Sequence, residues 1–180
     1  MRRSATLVLS ILLAASPALG VDPDDGTDVS PLTPFDFLLG HWEVGGSAPG
    51  TIAGSTSFEQ QLNNKIVVRS VNVNLPPTKD RAAASHRDLM IIYATPDRHL
   101  RADYFDSDGK VIHYMVEPID GGVVFTSEPS PGIERSRLTY RLAYAGIVSG
   151  EQEVAAPGEP EETFKSYDKW TMKRPAGKSK

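Results

Sequence analysis

Along Ser136–Tyr144 (SRLTYRLAY), Leu138, Tyr140, Leu142 and Tyr144 alternate with Arg137, Thr139, Arg141 and Ala143. A two-residue period sends successive side chains to opposite faces of a strand, so the first set is expected to face a core. Strand-favouring stretches recur at Trp42–Gly46, Thr51–Leu62, Ile66–Leu75, Asp88–Ala94, His99–Phe105, Val111–Glu117, Val123–Ser127, Arg135–Tyr144, Val148–Val154 and Thr163–Lys173. Turn formers separate them, among them Asn63-Asn64, Pro76-Pro77, Pro96-Asp97, Asp120-Gly121-Gly122, Ala145-Gly146 and Pro157-Gly158. Only Phe35–Leu39 (FDFLL) suits a short helical turn. No segment sustains an apolar period of 3.6, which argues against an α/β fold.

One hairpin can be read to the residue. Asp106-Ser107-Asp108-Gly109 has Asp first and Gly fourth, the preference of a type I turn. A left-handed Gly109 then adds a G1 bulge and closes a three-residue loop. Asp106 faces Lys110, and counting outward pairs Phe105 with Val111, Tyr104 with Ile112, Asp103 with His113 and Ala102 with Tyr114. Leu100, Ala102, Tyr104, Ile112, Tyr114 and Val116 form the drier face, expected inside. A two-residue type I′ turn at Asp108-Gly109 would slip this register and set His113 against Tyr104; the sequence leaves both open.

About ten strands on short, sequential connections predict an all-β fold: a single closed antiparallel up-and-down barrel with a short N-terminal helical turn. Closure removes the two exposed edges that an open sheet would carry. A two-sheet sandwich with Greek-key connections is the rival.

The flanks change the compartment. Arg2-Arg3, the apolar run Leu7–Ala15 and the small residues Ala18 and Gly20 have the layout of a secretory signal peptide cut after Gly20. The run is shorter than the roughly 20 residues that span a bilayer. Residues 1–20 are therefore expected to be a leader, 21–34 a flexible linker, 35–174 the barrel domain and 175–180 a disordered tail, in an exported protein that is periplasmic or secreted. Loss of the leader leaves 17 basic against 23 acidic side chains, a net charge of −6. With no basic stripe, nucleic acid is not an expected partner. No later segment is long and apolar enough to be an expected membrane span. The chain has no cysteine, which excludes a lipid-anchored cysteine, a thiol nucleophile and a thiolate metal site. An exported domain without disulfides stands on its packed core alone.

Phe35-Asp36-Phe37-Leu38-Leu39-Gly40-His41-Trp42-Glu43-Val44 places a helical turn and Gly-x-Trp at the start of the first strand. This resembles the opening motif of the calycin superfamily: lipocalins, fatty-acid-binding proteins and nitrobindin-like barrels. Arg101–Tyr114 and Tyr167–Arg174 are similar to small bacterial lipocalin-like proteins of unassigned function. The resemblance implies that Trp42 closes one end of the barrel, with Arg174 (or Lys173) packed over it. A guanidinium on an indole face adds about 0.5–2 kcal/mol. Ten strands depart from the eight of lipocalins and fit the fatty-acid-binding and nitrobindin types. The arginines and tyrosine that hold a fatty-acid carboxylate, and the haem-binding pattern of nitrobindins, have no matched position, so no family ligand residue carries over.

Four tyrosines on predicted inner faces, Tyr104, Tyr114, Tyr140 and Tyr144, form the candidate ligand-binding set. A buried phenol needs a partner for its hydroxyl, and several such groups among aliphatics suit a small-molecule site; rings that simply fill the core are the plainer alternative. His41, His86, His99 and His113 lack metal-binding spacing and are expected at the surface or in loops. Asp103 opposite His113 is expected outside. Arg135, Arg137 and Arg141 read as a solvated outer stripe, balanced by Glu159, Glu161 and Glu162. No G-x-S-x-G, phosphate loop or dinucleotide fingerprint occurs. No residue draws a catalytic or metal assignment, and the cofactor and oligomeric state are unknown. The expected function is a non-catalytic barrel holding a small apolar or amphipathic molecule. The alternatives are a haem-binding nitrobindin-like barrel, a barrel-cavity isomerase, cyclase or hydrolase, which needs an ionisable residue buried in the cavity, and an envelope protein working through its outer surface.

Overall fold

The computed structural model describes residues 29–46, 53–75, 77, 82–144, 146–160 and 163–175. The expected leader, residues 21–28 of the expected linker and the tail beyond Pro175 lie outside the described residues. Ten strands follow a 3-10 helix at Thr33–Leu38: β1 (Gly40–Gly46), β2 (Ala53–Gln61), β3 (Ile66–Leu75), β4 (Ala84–Ala94), β5 (Leu100–Asp106), β6 (Val111–Ile119), β7 (Gly122–Ser127), β8 (Arg135–Tyr144), β9 (Ile147–Ala155) and β10 (Lys165–Lys173). Each strand pairs antiparallel with the next, and β1 pairs with β10 through Glu43–Lys173, Val44–Met172, Gly45–Thr171 and Gly46–Trp170. The sheet is a single closed up-and-down barrel, and the sandwich alternative is excluded.

The hairpin at Gly109 adopts the three-residue form. Gly109 N–H donates to the Asp106 carbonyl at 3.1 Å, and Gly109 sits at φ +84°, a region that glycine enters without steric penalty. Asp103 therefore faces His113, and Tyr104 faces Ile112. Leu100, Ala102, Tyr114 and Val116 are buried on the inner face. The left-handed run Leu62-Asn63-Asn64 makes the β2–β3 turn, with asparagine tolerating that conformation better than most side chains.

Strand β1 begins at one end of the barrel, and that end is packed shut. Phe35 and Leu38 of the 3-10 helix are fully buried in one core cluster with Trp42, Phe58, Phe125 and Met172. Phe35 tilts against Phe125 of β7 with ring centres 6.0 Å apart. Leu32 joins the same cluster, so the packed domain starts ahead of residue 35 and residues 30–34 are not a free linker. The Trp42 Nε1–H donates to the Leu38 carbonyl at 2.6 Å, which ties the helix to β1 and satisfies the indole inside the core. The Arg174 guanidinium lies 3.7 Å from the centre of the Trp42 ring. Gly40 makes this stack possible. It sits at φ +103°, and a Cβ there would run into the guanidinium. The firm constraint at Gly40 is its left-handed φ, and the room it leaves is taken up by the flexible end of the Arg174 side chain that covers the indole.

Trp42→Ala removes the largest side chain of this plug and orphans the Leu38 carbonyl. We expect a loss of about 3–5 kcal/mol, the range for large aromatic truncations, read from the urea unfolding midpoint. Arg174→Ala, which strips only the exposed cover, should cost about 0.5–2 kcal/mol.

Candidate functional site

Above the plug the barrel is hollow. A cavity of about 470 Å³ is walled by Val44, Val71, Val73, Ile112, Leu138, Trp170 and Met172 and reaches the surface beside Lys110 and Tyr167. Its volume falls within the ~300–1,000 Å³ of small-molecule sites. The apolar residues come from alternate positions of strands on opposite sides of the barrel, as the two-residue period requires.

The polar part of the wall starts from Arg69. On β3 the inward positions are Val67, Arg69, Val71 and Val73, and the β3–β4 register sets Arg69 beside Met90 and Val71 beside Asp88. The Arg69 and Asp88 side chains are only 5% and 9% exposed, and Arg69 Nη2 stands 2.5 Å from Asp88 Oδ1. Arg69 Nη1 donates to the Tyr140 hydroxyl at 2.8 Å, across the barrel from β3 to β8. The Tyr104 ring lies 5.8 Å from the same guanidinium. Burial alone would draw the Arg69 proton off; the Tyr140 oxygen and the Asp88 carboxylate outweigh it and hold Arg69 above its usual value. Arg69 is therefore a permanent buried cation with one full counter-charge.

Three of the four candidate tyrosines meet here. Tyr104, Tyr114 and Tyr140 line the cavity, and Tyr140 packs edge-on against Trp170 with ring centres 5.8 Å apart. Tyr144 does not share the inner face expected of it. It is 70% exposed, and Leu142 is half exposed. The pairing with β9 shifts between Leu142 and Tyr144, but Leu142 is exposed ahead of that shift, so this end of β8 leaves the core before the bulge. The end of β8 from Arg141 onward stands exposed.

Trp170 owes its place to a glycine. Directly opposite it on β9 is Gly150, where a Cβ would run into the indole ring. The indole lies flat over that glycine and becomes part of the cavity wall, a role the sequence reading did not give it.

The histidines divide. His41, His99 and His113 are exposed, and His113 Nδ1 stands 2.6 Å from Asp103 Oδ1 on the outer face. His86, expected on the surface or in a loop, instead lines the cavity mouth on β4, with Nε2 3.4 Å from the Tyr104 hydroxyl and 3.7 Å from Asp88 Oδ2. The arginine stripe is corrected as well. Arg135 is buried, and Arg135 and Arg137 lie 5.4 and 4.5 Å from the Phe164 ring. Arg137 makes two bonds to Glu153, its register partner on β9, at 2.8 and 2.7 Å. Only Arg141 stands exposed, as expected for a solvated face. Packing against Phe164 is what draws the other two from solvent. Glu161 and Glu162 lie outside the described residues.

Among the described residues no group of three or more His, Asp or Glu could hold a metal ion, and no helix is long and apolar enough to cross a membrane. The ionisable group that a cavity enzyme requires is present in Arg69–Asp88, with each member engaged by the other.

The architecture defines the class. A closed ten-stranded antiparallel barrel with a plugged end and an internal hollow is consistent with the calycin, lipocalin-like fold and with an internal-cavity ligand-binding protein. The chain matches no protein-family model, and no curated protein matches it in sequence.

Two outcomes follow from the buried polar groups. Arg69→Met leaves Asp88 desolvated without its cation and should cost about 3–5 kcal/mol by urea unfolding, whereas Arg69→Met with Asp88→Leu should recover much of that loss. The second concerns alkali. Burial raises the phenols of Tyr140, Tyr114 and Tyr104 above their usual value of 10.0, with Asp88 and Asp106 adding to the shift at Tyr104. The folded state then holds these protons more tightly than the unfolded chain. Stability from them is complete below pH about 10 and falls as pH rises past it. Unfolding free energies measured from pH 8 to 11.5 should stay flat at first and then decline, and Tyr140→Phe should make the decline shallower.

Proposed function

We propose that this protein is an exported, non-catalytic barrel that holds one small amphipathic molecule in its interior. The observation that carries the reading is the hollow of about 470 Å³ above the Trp42 plug, apolar over most of its wall, with a few buried polar side chains converging on it. Such a surface gains from an apolar guest in place of water, and the fixed polar groups orient it. Tyr104, Tyr114 and Tyr140 serve as cavity contacts in this reading; Tyr144 stands away from the hollow. Export rests on the leader at residues 1–20 and places the protein in the periplasm or outside the cell.

The full chain expressed in a Gram-negative host should be recovered from the periplasmic fraction or medium with Val21 as its first residue. Titration of that protein with the neutral fluorophore N-phenyl-1-naphthylamine should give a saturable rise in emission at one site per chain. Val71→Trp places an indole in the hollow and should abolish the rise while leaving the far-ultraviolet circular dichroism of the barrel intact. An equal rise in the Val71→Trp variant would locate the fluorophore elsewhere and remove the case for an internal guest.

A further inference from the structure

The cavity wall carries one hydrogen-bond donor, the Tyr140 hydroxyl, for which the described residues supply no acceptor. Arg69 spends one N–H of Nη2 on Asp88 and one of Nη1 on Tyr140, which leaves a second N–H on each, while its Nε, without a partner among the described residues, is shielded from the hollow. Tyr140 accepts from Arg69, so its oxygen is served while its own O–H proton is not; no acceptor for it occurs among the described residues. Both side chains are almost fully buried and line the same hollow. Buried donors of this kind favour a partner that accepts.

The charge on that partner is restricted by Asp88. The guanidinium already has a carboxylate at 2.5 Å, in a pocket from which both side chains exclude water. A second carboxylate on Arg69 would sit close to the first, where low dielectric strengthens repulsion. The rest of the lining adds to this: Asp106 and Asp168 face the cavity, with Lys110 at the rim and His86 beside Asp88. Even with Arg69 and Lys110 counted, the lining holds more formal negative charge than positive when His86 is neutral.

We propose that Arg69 and Tyr140 form a subsite for the uncharged carbonyl oxygen of an amphipathic guest, a ketone, ester or amide, and that Asp88 makes this subsite reject a carboxylate. The inference rests on the internal-cavity reading above and names the chemical class of the guest. The carbonyl accepts from the Tyr140 hydroxyl and the Arg69 guanidinium, and its alkyl part lies along Val71, Leu138 and Trp170. Asp88 sets selectivity by occupying the charge of Arg69 in advance.

The test is displacement of N-phenyl-1-naphthylamine from the exported protein at pH 7 by three probes of equal length: octan-2-one, octanoate and octane. Octan-2-one should compete at least tenfold more strongly than either of the others. Tyr140→Phe should lower its affinity about tenfold and leave octane unchanged. Asp88→Asn should reverse the order by admitting octanoate, since Arg69 then holds uncompensated charge; if that variant does not fold, the Tyr140→Phe comparison decides alone. Octanoate binding as well as octan-2-one to the wild type would overturn the selectivity. Octan-2-one binding no better than octane would show that water satisfies the Tyr140 donor, and would overturn the subsite while sparing the cavity. Failure of the fluorophore itself to bind would remove the internal-cavity reading and this proposal with it.

Discussion

A cation inside a barrel is the constraint around which this interior is arranged. Arg69 projects from β3 into a space whose wall is mostly valine, leucine, methionine and aromatic rings, with polar groups among them. Removing a guanidinium from water costs several kcal/mol even after relaxation. Asp88 supplies the counter-charge from β4, Tyr140 an oxygen from β8 and Tyr104 a ring face from β5. Those partners come from both sides of the barrel, so the sheet must close for the set to assemble. Closure and charge burial therefore depend on one another. An open sheet would expose Arg69 and leave Tyr140 distant from it.

The two ends of the barrel solve different problems. At the plugged end the Trp42 N–H is taken by the Leu38 carbonyl and the face of its ring by Arg174. Phe35, Phe58 and Phe125 fill that end with buried aromatic packing. At the other end the wall thins to Val71, Val73, Val44 and Ile112, with His86, Asp106 and Lys110 around the mouth. Trp170 links the two. It packs on Tyr140 from below the mouth, and Gly150 gives up its side chain to make room. Size and polarity thus change along one axis, which suits a molecule that has two unlike ends.

The strand pattern made most of this architecture legible. Ile66–Leu75 and Arg135–Tyr144 are strands with the bounds expected of them, Leu138 and Tyr140 face the core as the alternation requires, and of the two registers left open at Asp106–Gly109 the three-residue loop forms and turns Tyr104 and Tyr114 inward. The local rule failed at the end of β8. Leu142 and Tyr144 keep the alternation in sequence, but β8 is exposed from Arg141 onward and the shift against β9 follows it, and neither has a mark in SRLTYRLAY. Arg69 was legible in principle: Val67, Val71 and Val73 share its parity, and that period puts a charge on a valine face. Asp88 was not. Leu89, Ile91 and Tyr93 are as apolar as Met90 and Ile92, so β4 has no dry side by sequence. Its facing is set by the β3–β4 register across a connection with no short-turn signature.

Stability alone does not account for the Arg69–Asp88 pair. Well-packed aliphatic side chains of similar volume commonly give equal or greater stability than a buried ion pair, because they avoid desolvation altogether. In this barrel such residues would also remove the one cation that the described residues place on the deep wall and the donor that holds the Tyr140 oxygen. The remaining surface would still exclude water and still accept an apolar chain, but it would hold no preference for one end of that chain over the other. A neutralised guanidinium differs from a bare one in the same way: it keeps its direction and its donors while giving up its attraction for anions. In the proposed function the pair would orient a guest without attracting acids, and that would separate this hollow from a merely unfilled core.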